Sequence, residues 1–113
     1  MTTSRPEAVP CRDAWAWLRV VGHDPSLGDA TGRLALALVT YADGLKRADP
    51  GGNIRPGVAL LAADTGKSER AVRRGLAALH AAGYLIEVRR GGGHGVTART
   101  TVRRLALPVS DEL

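Results

Sequence analysis

Apolar and polar positions separate most cleanly over residues 68 to 82. At the helical spacing, Val72, Gly75, Leu76, Leu79 and Gly83 fall in one arc of about 100° and Arg70, Arg73, Arg74 and Ala77 in an arc of similar width on the opposite side. The pattern predicts a helix from Ser68 to about Ala82 that stops at Gly83. Ser68 is a favourable N-cap, and Glu69 stands at the positive end of the helix dipole. Upstream, Pro56 suits the first turn of another helix. Val58, Leu61, Ala62 and Thr65 make its inner face, and Gly66 gives a tight turn into the next helix. Residues 29 to 45 read as a helix with Leu34, Leu38, Tyr41 and Leu45 on one face and Leu36 and Val39 on the other. A helix apolar on both sides is expected to be covered on both, here by the main core and by either the Trp15/Trp17 segment, the preferred cover, or a second subunit.

After Gly83 the period falls to two. Tyr84 to Arg90 reads as a strand, Gly91-Gly92-Gly93-His94-Gly95 as a turn, and residues 98 to 107 as a second strand ended by Pro108. Arg103 and Arg104 are adjacent, so they face opposite ways and at most one can reach a partner lying along the hairpin. Residues 1 to 12 are polar, carry Pro6 and Pro10, and are expected to be a flexible arm. Residues 13 to 21 are apolar and fit a short helix or a strand. The run from Lys46 to Arg55 is a loop by its Pro50-Gly51-Gly52-Asn53 content. The expected organisation is one α+β domain over residues 13–108, with three core helices, a C-terminal hairpin and a Trp-containing N-terminal extension; residues 109–113 form a tail.

Composition narrows the function. A chain of 113 residues suits one ordinary core. It has no Phe, so the larger rings are Trp15, Trp17, Tyr41 and Tyr84, and the two tryptophans are expected in the core or at an interface. The net charge is +5 and is unevenly placed. Residues 55 to 104 carry ten basic and three acidic residues, a balance of +7, which leaves −2 for the rest. Such a split points to a polyanionic partner more directly than the total does. Cys11, the sole cysteine, excludes an intrachain disulfide and a cysteine-based zinc site, and reads as an incidental thiol in the arm. No apolar run approaches a membrane span and the start lacks a signal-peptide pattern, so a cytoplasmic, nucleoid-associated protein with no membrane partner is expected.

The candidate site residues follow from these patterns. Arg70, Arg73 and Arg74 have no acidic residue four positions on, since 77 and 78 are both Ala, so a merely solvated face is a poor account of them; arginine there can pair with guanine or clamp phosphates. Lys67 and Ser68 lie at a helix start, where backbone amides and the dipole suit a phosphate, and Glu69 beside them completes the expected DNA-contacting set on this helix. Arg55 adds a phosphate contact from the preceding loop. Arg89, Arg90, His94 and Arg99 flank the hairpin tip, which can follow a DNA backbone or enter a minor groove. Thr65-Gly66-Lys67-Ser68 matches the end of a nucleotide-binding loop, but that motif needs Gly at position 61 and a strand before it; position 61 is Leu. His23, His80 and His94 have no ligand-like spacing, and no catalytic constellation stands out. No enzyme activity, metal or cofactor is expected.

The order helix, helix, turn, helix, hairpin over residues 29 to 107 resembles the winged helix-turn-helix DNA-binding domains, in particular a bacterial, actinobacterial-like set shared by transcription regulators and by plasmid and phage replication initiators. The resemblance rests on Pro56, Leu61-Ala62, Thr65-Gly66, Ser68, Val72, Arg74, Leu76, Leu79 and Ala82-Gly83-Tyr84-Leu85. The chain departs from it at Gly57, where the family usually has a capping Ser or Thr, and at Ala71, where it often has Thr. It implies double-stranded DNA as partner, a recognition helix over residues 68–82, a basic wing over 89–99, and use as a homodimer or in multiple copies on repeated sites. The expected role is a transcription regulator, most simply a repressor. The alternatives are a DNA-binding module of a plasmid or phage replication, partition or transfer system, which recruits a replication or transcription protein, and a protein-docking winged helix that binds no DNA.

Overall fold

A computed structural model describes residues 7–11, 13–41, 54, 56–89 and 101–109, with only the backbone of Arg89. Among these the chain forms an α+β unit of four helices and a three-stranded antiparallel sheet. The elements run β1 (Ala8–Pro10), α1 (Ala14–Gly22), α2 (Asp29–Tyr41), α3 (Val58–Thr65), α4 (Glu69–Ala81), β2 (Leu85–Arg89) and β3 (Val102–Pro108). The sheet order is β1-β3-β2.

The ambiguous segment at residues 13 to 21 is a helix. Asp13 caps it, its carboxylate accepting from Trp15 N at 3.0 Å and Ala16 N at 3.1 Å. α1 buries Ala14, Trp17 and Val21. Trp17 is fully enclosed, and its Nε1 donates to the carbonyl of Tyr84 at 2.9 Å, which ties the N-terminal helix to the turn that leads into the sheet. Of the two tryptophans expected in the core or at an interface, Trp17 takes the core, whereas Trp15 is 64% exposed in the single chain. A two-residue step along a helix turns a side chain by about 200°, so the pair could not share one face.

The expected flexible arm is corrected over its last part. Ala8–Pro10 pairs with β3 in the register Ala8↔Pro108, Val9↔Leu107, Pro10↔Ala106. Val109 N donates to Glu7 O at 2.7 Å and Cys11 N to Leu105 O at 2.9 Å. Pro10 is tolerated because β1 is an edge strand. Cys11 is correspondingly buried, with Sγ donating to Asp13 O at 3.2 Å, and is not a thiol on a loose arm.

α2 presents Thr31, Leu34, Ala35, Leu38 and Val39 to the interior. Val39 is buried and Leu36 remains 50% exposed, so within the single chain the second side of α2 is covered at Val39 and open at Leu36. Residues 42–45 of the expected helix lie outside the described residues. α3 begins one step later than expected. Gly57 is its N-cap, with no side-chain hydrogen bond, and Pro56 stands just before the cap rather than in the first turn. Ile54 joins the sheet separately, exchanging both backbone hydrogen bonds with Arg103 at 2.7 and 3.0 Å.

The hydrophobic core lies between the helices and the inner face of the sheet, with Trp17, Leu38, Ile54, Leu61, Leu79, Leu85 and Leu105 among its enclosed side chains. No helix among the described residues is long and apolar enough to cross a membrane.

Candidate nucleic-acid interface

α3 and α4 meet at a turn dictated by Gly66, which takes φ +70°, a left-handed conformation that glycine adopts without penalty. Gly66 N and Lys67 N both donate to Ala62 O, at 2.9 and 3.2 Å, so the last turn of α3 is closed by the linker itself. Thr65 is buried and returns its hydroxyl to Leu61 O at 2.8 Å. Ser68 then caps α4: its Oγ accepts from Ala71 N at 3.0 Å. At the far end Gly83 N donates to His80 O at 3.1 Å and Tyr84 N to Leu79 O at 2.8 Å, with Gly83 at φ +87°. This is a Schellman ending, and it aims Tyr84 back into the core.

Between these caps the two arcs of α4 divide as the spacing predicts. Val72, Gly75, Leu76 and Leu79 are buried, and Arg70, Arg73, Arg74 and Ala77 are exposed. Gly75 marks a close approach: a β-carbon there would lie 2.6 Å from Leu34 Cδ2, so glycine is what lets α2 seat a leucine against the α4 backbone. The buried arc is thereby locked to α2 and α3, and the arginines project from a rigid base.

The structure brings Lys67, Ser68, Glu69, Arg70, Arg73 and Arg74 onto one exposed surface. It also corrects one expectation about them. Arg73 has an acidic partner, four positions before it rather than after: Glu69 Oε1 lies 3.2 Å from Arg73 Nη2. The spacing was present in the sequence as an i,i+4 pair in the favourable orientation. Arg70 and Arg74 form no ion pair among the described residues. Arg55, Arg90, His94 and Arg99 lie outside the described residues. Arg89 ends β2, which pairs with β3 through Leu85↔Leu105, Ile86↔Arg104 and Glu87↔Arg103, with an irregularity between Glu87 and Arg89.

Two tyrosine–carboxylate contacts join other elements of the fold. Tyr41 Oη donates to Asp64, which joins α2 to α3; that hydrogen bond is the main reason the Tyr41 phenol is held above its ordinary value. Tyr84 Oη donates to Asp24 Oδ2 at 2.6 Å. Burial, and then this bond, push the Tyr84 phenol up to about 12. Asp24 is held below the usual carboxylate value, chiefly by the Ser26 hydroxyl at 2.6 Å and then by Tyr84.

Chemically, this surface offers guanidinium donors and the amide-bearing start of a helix, with Glu69 as its one negative charge. Among the described residues, no group of three His, Cys, Asp or Glu side chains could hold a metal ion. No protein-family model, curated protein or solved structure matches this chain.

Proposed function

We propose that this chain is a winged helix-turn-helix domain that binds double-stranded DNA, with α4 lying in the major groove and the β2–β3 hairpin as its wing. Arg70, Arg73 and Arg74 supply contacts to base edges. Lys67 and Ser68, with Arg55, Arg89, Arg90 and Arg99, supply contacts to phosphates. The observation that carries the reading is the division of α4, in which three arginines stand exposed opposite a fully buried arc. A helix locked on one side and cationic on the other is a shape that a major groove accepts. The charge of +7 over residues 55 to 104 supports it, since phosphate neutralisation supplies most of non-specific affinity. The simplest use is as a transcription regulator that occupies an operator, with two copies needed for a site of useful length.

The test is selection of bound fragments from random and genomic DNA at about 150 mM salt, where weak electrostatic binding is screened. A sharp motif is expected. A single palindrome beside a promoter supports the regulator, and tandem copies beside a replication origin shift the role to replication. Failure to retain any DNA over a non-binding control would sink the reading.

A further inference from the structure

The outer flank of α4 and the sheet enclose a cleft of about 370 Å³. Arg73, Ala77 and His80 line it from α4, at spacings of four and three that place them on one flank. Glu87 of β2 and Arg103 of β3 are register partners and line it from the sheet. Val58 and Leu76 add apolar lining, and Ala77 leaves the entrance free of a long side chain. Two arginines from different elements thus line one opening.

Arg103 is the unusual member. Its backbone N–H and C=O are both taken by Ile54. Its side chain is half-buried, and among the described residues it makes no hydrogen bond and no ion pair; its cross-strand neighbour Glu87 does not close on it. Burial accordingly lowers its pKa, with the charge of Glu87 opposing. A partly desolvated guanidinium that, among the described residues, has a facing carboxylate but no hydrogen bond or ion pair is a costly arrangement. The group it suits is a planar or tetrahedral oxyanion that takes two N–H bonds at once. Arg73 brings a second guanidinium. Glu69 occupies one of its five N–H donors and leaves the others free to bind.

We propose that this cleft holds one phosphate group, bound by Arg103 and Arg73, and that in the DNA complex the group is a backbone phosphodiester on the hairpin side of α4. The assignment rests on the DNA-binding reading and refines it: Arg73 turns from base to backbone, and Arg103 joins the footprint. The volume accommodates a phosphodiester with its flanking sugars, and Val58, Leu76 and Ala77 offer those sugars an apolar wall.

The test has two arms. In the first, inorganic phosphate is titrated into the free protein, with chloride as control, and backbone and arginine side-chain N–H resonances are followed. Saturable shifts confined to residues 73–80, 87 and 102–104 are expected. They should be lost in Arg103→Gln, retained in part in Arg103→Lys, and strengthened in Glu87→Gln, which removes the competing carboxylate. In the second, DNA affinity is measured against salt. Arg103→Gln and Arg73→Gln should each lower the slope of log affinity against log salt, and the double variant should lower it by no more than roughly 0.9, the share of one phosphate, with equal fold losses on the selected site and on random DNA. Phosphate shifts with an unchanged slope would assign the site to free phosphate. No shifts and an unchanged slope would overturn the proposal. A protein that binds phosphate here but no DNA would remove the DNA reading and leave the site standing. Backbone amide spectra of each variant establish that it is folded.

Discussion

α1 and α4 are both short amphipathic helices against one core, but they divide their surfaces differently. α4 sets arginine against leucine, so chemistry alone says which side is in and which is out. α1 sets Trp15 and Val20 against Trp17 and Val21, so both sides are apolar and only packing decides. The difference teaches where stability and function separate in this molecule. On α4 the residues that hold the fold and those that face outward are distinct sets, and either can be altered without the other. On α1, Trp17 is enclosed together with Ala14 and Val21, and the equally large Trp15 beside it stands exposed.

The strongest way to break that comparison is to truncate the two tryptophans. Trp17→Ala should cost about 3–5 kcal/mol in denaturant unfolding, a large share of the stability of a small domain. Trp15→Ala should stay within about 0.5 kcal/mol. Equal losses would mean that the outer face of α1 is covered in solution, for example by a second copy. Trp17→Phe sharpens the point: it keeps most of the ring and removes one donor to Tyr84 O, which Ala106 N still satisfies at 2.9 Å, so a loss of about 0.5–1.5 kcal/mol is expected.

The same hub gives a pH signature. The folded Tyr84 phenol is raised to about 12 from an ordinary 10. Between those values the unfolded chain releases a proton that the folded chain keeps, so stability falls as pH rises through this window and is fully present below it. Asp24 acts at the other end. Its folded value lies below the ordinary 3.8, so its contribution is present above that value and is lost as pH falls through the lower folded one. Tyr84→Phe should flatten the alkaline fall in chemical denaturation between pH 9 and 12. An unchanged slope would place the titration elsewhere.

On α4 the outward set should separate cleanly from the inward one. Arg74→Ala or Arg70→Ala should cost about 1–3 kcal/mol on the selected DNA site and much less on random DNA, while unfolding shifts by less than about 0.5 kcal/mol. Loss on both DNAs alike would make these arginines backbone contacts. Ser68→Ala touches both sets, since Ser68 caps the helix that carries them. It should cost about 1 kcal/mol of stability through the Ala71 amide it leaves unpaired.

The contrast between the two helices also explains what the sequence made legible. The faces of α4, its cap at Ser68, its stop at Gly83, the turn at Gly66 and the presence of β2 and β3 were readable because each carries a local signal of periodicity or turn chemistry; Pro108, read as the end of the second strand, instead pairs with Ala8 inside β3. β1 was not: three residues, Ala8-Val9-Pro10, give no alternation to read, and their partner lies almost the whole chain away. Ala14-Trp15-Ala16-Trp17 alternates like a strand, and only the Asp13 cap and the enclosure of Trp17 select the helix. Leu36 reads as apolar and so as covered, but nothing local says that it will stand half-exposed in the single chain. Arg103 carried only an alternation signal; its half-buried place beside α4 depends on how the sheet meets the helix, which no window of sequence contains.

The smallest effect tests the one charge pair on the outward face. Glu69 and Arg73 are 3.2 Å apart with both side chains more than half exposed, so the pair should contribute only about 0.3–0.5 kcal/mol to stability. Glu69→Gln should therefore weaken folding by no more than that, together with a few tenths from the helix dipole. It should also tighten DNA binding slightly, because it removes the one negative charge on the face and frees a donor of Arg73. A double-mutant cycle of Glu69→Gln with Arg73→Gln, read in both unfolding and DNA affinity, separates the two roles. A coupling near zero in unfolding but clear in DNA binding would show that Glu69 acts by restraining Arg73 rather than by holding the helix. The reverse pattern would return the pair to ordinary helix stabilisation and leave Arg73 without a tuned orientation.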